Sequence, residues 1–146
     1  MRSIYDKPPG FKSISKETDW ILIVDDEFDI ISVLKQGLEH KGFRVFGFTD
    51  PALALEHFQK NYKRFSLVIS DLRMPGMNGY EFVKKVKEIK LGVKVFFMTA
   101  FEINDAEFRS ALPEVEIEGL IQKPISLANV ASTVSKYVPT RYEAIS

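Results

Sequence analysis

From residue 20 onward, hydrophobic positions fall into short apolar runs that alternate with longer stretches of helical spacing. Apolar and polar residues do not alternate cleanly within the short runs, so both faces of each strand should be buried beneath helices. This pattern predicts a doubly wound α/β fold with a parallel sheet. Five strands rich in Val, Ile, Leu and Phe are predicted: Ile21 to Val24, Arg44 to Phe48, Leu67 to Ser70, Val93 to Met98 and Ile117 to Ile121.

The stretches after the strands predict five helices, several with recognisable boundaries. Asp50 followed by Pro51 is typical of an N-cap and a first helical position. Asn104 and Glu107 resemble a capping pair and indicate a short fourth helix. The first, third and last helices carry apolar stripes: Ile30, Ile31, Leu34 and Leu38; Phe82, Val83, Val86 and Ile89; and Leu127, Val130, Ala131 and Val134.

Length and composition favour a single packed domain. The chain has 146 residues, of which 45% are hydrophobic and none is cysteine, which excludes disulfides and thiolate metal sites. We assign the domain to residues 20 to 139, with a flexible leader over residues 1 to 19 and a short tail over residues 140 to 146.

Charge and hydropathy limit the expected partners and location. Twenty basic and twenty acidic residues give zero formal net charge, so no overall field attracts nucleic acid or an anionic membrane. A zero net charge does not exclude a local basic patch. The apolar runs are only strand-sized, and the amino terminus has no secretory stretch. We therefore expect a cytoplasmic protein that contacts neither nucleic acid nor a membrane directly.

Polar residues follow four of the predicted strands, either directly or after one intervening residue. Asp25 and Asp26 follow the first strand, Asp71 the third, Thr99 the fourth and Lys123 the fifth. In open parallel sheets, ligands bind at the carboxyl ends of the strands, where these residues should converge. The sequence therefore predicts one site at this edge.

The pattern of three aspartates has two interpretations, the start of a helix or a cation site. Taken alone, an Asp-Asp pair is as compatible with the start of a helix as with a site, because carboxylates are favourable there. Three carboxylates brought together would repel one another, however, and a hard cation such as Mg²⁺ would relieve that repulsion. With Mg²⁺ and the ammonium of Lys123, the formal charge would reach zero, and the pocket could accept a phosphoryl group.

These residues, taken with the loop that follows Asp71, resemble the receiver domain of two-component response regulators. The resemblance covers about residues 20 to 139. It rests on Asp25-Asp26, on Asp71-Leu72-Arg73-Met74-Pro75-Gly76-Met77-Asn78-Gly79, on Thr99-Ala100 and on Lys123-Pro124. It implies a flavodoxin-like (βα)5 three-layer sandwich with the sheet order 2-1-3-4-5.

The resemblance also implies a role for each site residue. Asp71 would take a phosphoryl group from a phosphohistidine on a sensor histidine kinase or phosphotransfer protein. Asp25, Asp26 and Asp71 match the residues that hold Mg²⁺, and the backbone carbonyl of Arg73 matches a further ligand. The implied protein is a switch that gains and slowly loses this group, rather than a turnover enzyme.

Two further residues match positions that contact the phosphoryl group. Thr99 would donate a hydrogen bond to one phosphoryl oxygen, and Lys123 would pair with another. Family members commonly have a cis peptide bond before the proline that matches Pro124. The sequence departs from the family at Leu120, where receivers usually carry Tyr or Phe, so the resemblance does not include the usual aromatic switch residue.

Several alternatives stay open. A stand-alone receiver that signals through protein contacts and a fragment of a larger regulator or hybrid kinase would look the same. Phosphorylation could also drive formation of a homodimer. A receiver-like module that works without phosphate usually lacks some of these residues. A phosphohydrolase with an aspartyl-phosphate intermediate would need an acid at the position of Arg73, and a nucleotide-binding protein would not place Asp25 and Asp26 beside a phosphate.

Overall fold

The computed structural model describes residues 19–100 and 115–140, which form an α/β sandwich around one parallel sheet. The strands are β1 (Trp20–Val24), β2 (Arg44–Phe48), β3 (Phe65–Asp71), β4 (Lys94–Thr99) and β5 (Gly119–Gln122). Their order is β2-β1-β3-β4-β5, and every neighbouring pair is parallel. The predicted fold class and strand order are confirmed.

Four helices cover the sheet within the described residues. They are α1 (Phe28–His40), α2 (Pro51–Asn61), α3 (Gly79–Ile89) and α4 (Leu127–Ser135). The helix predicted around Asn104 and Glu107 lies outside the described residues. None of the described helices is long and apolar enough to cross a bilayer.

The two faces of the sheet bury two separate cores, because successive side chains of a strand point to opposite faces. Along β1, Leu22 and Val24 belong to one core, whereas Ile21 and Ile23 belong to the other. The first core contains residues of α2 and α3, and the second contains residues of α1 and α4. All five residues of β1 are therefore buried, as the unbroken apolar run predicts.

Side-chain caps mark the starts of α2 and α4, and the cap at Asp50 is the one that the sequence predicts. Asp50 precedes α2, and its side chain accepts a hydrogen bond of 2.9 Å from the backbone N–H of Ala52. Ser126 caps α4 in the same way by accepting from Asn129 N–H at 3.3 Å. These bonds satisfy N–H groups that have no partner inside the helix.

The fifth strand begins two residues later than predicted. The backbone N–H of Val95 in β4 donates to the Glu118 side chain at 2.7 Å, and Glu118 N–H donates to Val95 O at 2.8 Å. The Glu118 side chain thus accepts the hydrogen bond that a backbone carbonyl would accept in a regular strand pair. Regular pairing of β4 with β5 starts at Gly119. The apolar side chain of Ile117 still packs on the first core.

Two glycines permit close approach between elements. Gly37 of α1 faces the side chain of Leu127, the first residue of α4, and a Cβ at Gly37 would overlap it. Gly79 begins α3 directly against the carbonyl oxygen of Asp71, and its N–H donates to Leu72 O at 2.9 Å. The positive φ in this loop lies at Gly76 (83°), so Gly79 is required for space.

We predict that Gly79→Ala lowers the free energy of unfolding by about 1 to 3 kcal/mol, because the added methyl collides with backbone that cannot rotate away. Urea denaturation measures the change. Gly92→Ala is the matched control, since a Cβ there meets no atom within 4 Å. Equal stability of the two variants would contradict this account of the contact between α3 and β3.

Candidate functional site

Three carboxylates meet at the carboxyl edge of the sheet. One oxygen from each of Asp25, Asp26 and Asp71 lies within 4.8 Å of the others. Asp25 and Asp71 are buried, whereas Asp26 is exposed. The structure therefore brings together the three aspartates that the sequence placed at one edge.

The pairing of β1 with β3 produces this juxtaposition. Val24 is in register with Ser70. The residues that follow them, Asp25 just after β1 and Asp71 at the end of β3, therefore lie side by side. Asp25 is fixed further because its Oδ1 accepts from Glu27 N–H at 2.8 Å and its N–H donates to Phe48 O at 3.1 Å. The acidic pair thus sits in a tight turn between β1 and α1.

Lys123 is the cation of the cluster. Its Nζ lies 2.8 Å from Asp25 Oδ2, 3.5 Å from Asp71 Oδ1 and 3.6 Å from Glu27 Oε1. The sequence did not identify Glu27 as a partner of this lysine, because its position after an Asp-Asp pair is equally typical of the start of a helix. The Lys123-Pro124 peptide bond is cis, as the resemblance implied.

Thr99 and Arg73 occupy the neighbouring positions. Thr99 is the last residue of β4 and is buried, and its carbonyl accepts from Lys123 N–H at 2.7 Å. This bond joins the end of β4 to the segment that carries the lysine. Arg73 lies in the loop after β3 and is exposed.

Burial and like charge make the aspartates resist ionisation. Burial, together with the neighbouring charges of Asp25 and Asp26, raises the pKa of Asp71 to about 6 in spite of the opposing ammonium of Lys123. Burial also raises the pKa of Asp25, although the ammonium of Lys123 offsets part of this rise. Burial alone would lower the pKa of Lys123, but its contacts with Asp25 and Asp71 raise it above the usual value. Lys123 therefore stays charged and partly neutralises the cluster.

The donor set fits a small hard cation. All three side chains offer carboxylate oxygens, which Mg²⁺ prefers. Asp25 Oδ2 is buried and pairs with the ammonium of Lys123 at 2.8 Å, so one cation is shared among the three carboxylates. Exposed Asp26 leaves one side of the cluster open to water.

The family model described as "Response regulator receiver domain" matches residues 21–135. Among curated proteins, the sporulation initiation phosphotransferase F of Bacillus subtilis is 30% identical over 121 residues, which cover 83% of this chain and 94% of that protein. An uncharacterised transcriptional regulatory protein of the same species, YbdJ, is 37% identical over 89 residues. That match covers 61% of this chain but only 38% of the longer protein.

Among solved structures, the chemotaxis protein CheY4 of Vibrio cholerae superposes with a TM-score of 0.72 at 27% sequence identity. The match covers 83% of this chain and 99% of that protein. The residues matched by the family model, 21–135, include the three aspartates of the cluster and Lys123.

We predict that Asp71→Asn raises the free energy of unfolding at pH 7 without divalent cations. The folded state holds the Asp71 proton more tightly than the unfolded state, so this group costs stability as the pH rises from about 4 through 6. The difference between the pKa of Asp71 in the folded and unfolded states corresponds to at most about 3 kcal/mol in the free energy of unfolding. The variant should also gain less stability than the wild type when the pH falls through this range.

Urea denaturation with a chelator at a series of pH values measures both effects. Asp29→Asn serves as the control, because Asp29 is an exposed carboxylate outside the cluster. If the wild type and Asp71→Asn gain equally on acidification, the carboxyl group of Asp71 is not the one that titrates.

Proposed function

The chain belongs to the family of response regulator receiver domains of two-component systems, and on that premise we propose that Asp71 is its phosphoacceptor. The donor would be a phosphohistidine on a sensor histidine kinase or phosphotransfer protein. The proposal rests on one observation: Asp71 ends a central strand within a cluster of two further carboxylates and one lysine.

The proposed step is a displacement at phosphorus. A carboxylate oxygen of Asp71 attacks the phosphorus atom, an O–P bond forms, the N–P bond breaks, and the imidazole leaves with the partner. Attack requires the ionised carboxylate. With a pKa of about 6, Asp71 is largely ionised at pH 7 even without a cation, and additional positive charge would favour that form.

Asp25, Asp26 and Asp71 would hold Mg²⁺, together with the backbone carbonyl of Arg73. When bound, Mg²⁺ supplies positive charge beside the oxygens of the transferring phosphoryl group. The convergence of three carboxylate oxygens within 4.8 Å and the exposed side of Asp26 support this assignment. Without this charge, the cluster of three acids would repel an incoming phosphoryl group.

Lys123 and Thr99 would hold the phosphoryl oxygens after transfer. Lys123 Nζ bridges Asp25 and Asp71, so a phosphoryl group on Asp71 would offer it a more negative partner nearby. Thr99 ends the neighbouring strand and is connected to Lys123 through its backbone carbonyl. Movement of either residue toward the phosphoryl group would therefore involve both β4 and the turn after β5.

An apolar groove beside the cluster supports docking of a donor protein. It has a volume of about 590 Å³ and lies between α1 and the turn that follows β5. Three charged residues, Glu27, Asp29 and Lys123, line it together with apolar residues, namely Ile30, Val33, Leu34, Ala100, Pro124 and Ile125. A partner seated here would lie beside Lys123, whose Nζ is 3.5 Å from Asp71 Oδ1.

Signal output would take the form of protein contacts that depend on phosphorylation. Leu120 lies in β5 and is half-buried against the first core, where it has no polar group to rearrange. We therefore assign the coupling to Thr99 rather than to residue 120. Thr99 lies on the strand beside β5 and is the hydroxyl residue at the edge of the cluster.

We predict that the protein gains one phosphoryl group when it is incubated with Mg²⁺ and acetyl phosphate or phosphoramidate. Intact mass should show one addition that is stable in acid and labile in base. Asp71→Asn should show none, because it lacks the nucleophilic oxygen, and Asp29→Asn should label as the wild type does. Labelling of Asp71→Asn to the wild-type extent would rule out this acceptor.

We predict that Asp26→Ala and Asp25→Ala each weaken Mg²⁺ binding at least about tenfold, through loss of a carboxylate ligand. Their stabilities should differ. Asp26 is exposed, so its removal mainly relieves repulsion, whereas removal of Asp25 strips Lys123 of its nearest partner at 2.8 Å.

Calorimetric Mg²⁺ titration and thermal denaturation in a chelator test these effects. We expect Asp25→Ala to melt below Asp26→Ala. Unchanged Mg²⁺ affinity in both variants would argue against the cluster as the metal site, whereas equal melting temperatures would argue only against the role of the ion pair.

A further inference from the structure

The guanidinium groups of two arginines lie over the ring of the one tryptophan of the chain, at the end of the sheet opposite the acidic cluster. Trp20 and Arg44 are the first residues of β1 and β2, and Arg64 directly precedes β3. The guanidinium carbons of Arg44 and Arg64 lie 5.3 Å and 5.1 Å from the Trp20 ring centroid. Two like charges are thus held beside a single ring.

Neither guanidinium forms an ion pair with a carboxylate in the part of the chain that the structure describes. Both arginines are exposed, and Lys41 and Lys63 are exposed in the loops at the same edge. Two carboxylates lie at the same end: Asp19, which precedes β1 and whose charge acts on Lys90, and Glu39, which lines a pocket with Arg44 and is paired with Lys35 at 2.9 Å. Among the described residues, cations therefore outnumber carboxylates at this end of the sheet, although the net charge of the chain is zero.

The two guanidinium groups present hydrogen-bond donors. A guanidinium contacts an aromatic ring through its flat face, and its N–H groups point outward in its own plane. Those N–H groups match the two oxygens of a carboxylate. Stacking also restricts the side chain before a ligand arrives, which lowers the entropic cost of binding. An anion seated at the two arginines would relieve their mutual repulsion.

We propose that Arg44 and Arg64, held by Trp20, form a docking site for an acidic segment of a protein partner. This site would be separate from the acceptor cluster and would not require phosphorylation of Asp71. Trp20 is only 7% exposed, so it offers no ring for a nucleic-acid base to stack on.

The test uses the complete chain and a short peptide of alternating glutamate and glycine at low salt. Because Trp20 is the only tryptophan, its fluorescence reports on the site directly. We expect saturable binding that changes this emission. Arg44→Lys and Arg64→Lys keep the charge but lose the planar guanidinium with its parallel N–H donors. Each should weaken binding about tenfold. Lys85→Gln removes an exposed charge from α3 and should leave the affinity within about twofold.

Any of three results would overturn the proposal. If the peptide does not bind, or if both lysine variants bind as tightly as the wild type, the arginines only stabilise the fold. If a single-stranded oligonucleotide binds more tightly than the peptide, the partner is a nucleic acid. If the emission changes with protein concentration alone, the partner is a second copy. Circular dichroism and labelling of Asp71 by acetyl phosphate show that the variants are folded, independently of peptide binding.

Discussion

Mutual repulsion of carboxylates in a buried position is the constraint on which the site depends. Asp25 and Asp71 are brought side by side by strand register, and burial makes each harder to ionise. The fold tolerates this because Lys123 approaches both of them. The arrangement is incompletely neutralised, and that shortage of positive charge is what makes the edge receptive to a cation.

The rest of the structure holds these groups in place. The two cores bury β1 on both faces, so Asp25 begins from a strand that cannot shift. Gly79 allows α3 to start against the end of β3, and Thr99 anchors the segment that carries Lys123 through a backbone bond. Rigid strands thus supply the position of each charge, while the side chains supply the chemistry.

Much of this could be predicted from the sequence. The apolar runs indicated the strands because a doubly covered sheet needs continuous hydrophobic segments, and Asp50-Pro51 marked its helix because local capping bonds require those residue types. The acidic cluster could be anticipated because parallel strands bring their carboxyl ends together.

Other features depend on contacts between distant segments. The late start of β5 follows from the bond between Glu118 and Val95, and no local pattern reveals it. The contact between Glu27 and Lys123 and the stacking of two arginines on Trp20 join residues from different strands and loops. The need for glycine at position 79 comes from the carbonyl of Asp71, a neighbour in space that chain order does not identify.

The tight contact between Gly37 and Leu127 has a consequence for redesign. The helix α1, which lines the groove beside the acidic cluster, cannot be exchanged as an independent module, because its inner face is fitted to the first residue of α4. A transplanted helix with a larger residue at position 37 would displace Leu127, only four positions after Lys123. Recognition surfaces could therefore be swapped cleanly only if position 127 were exchanged together with α1, so that the two helices are inherited as a matched pair.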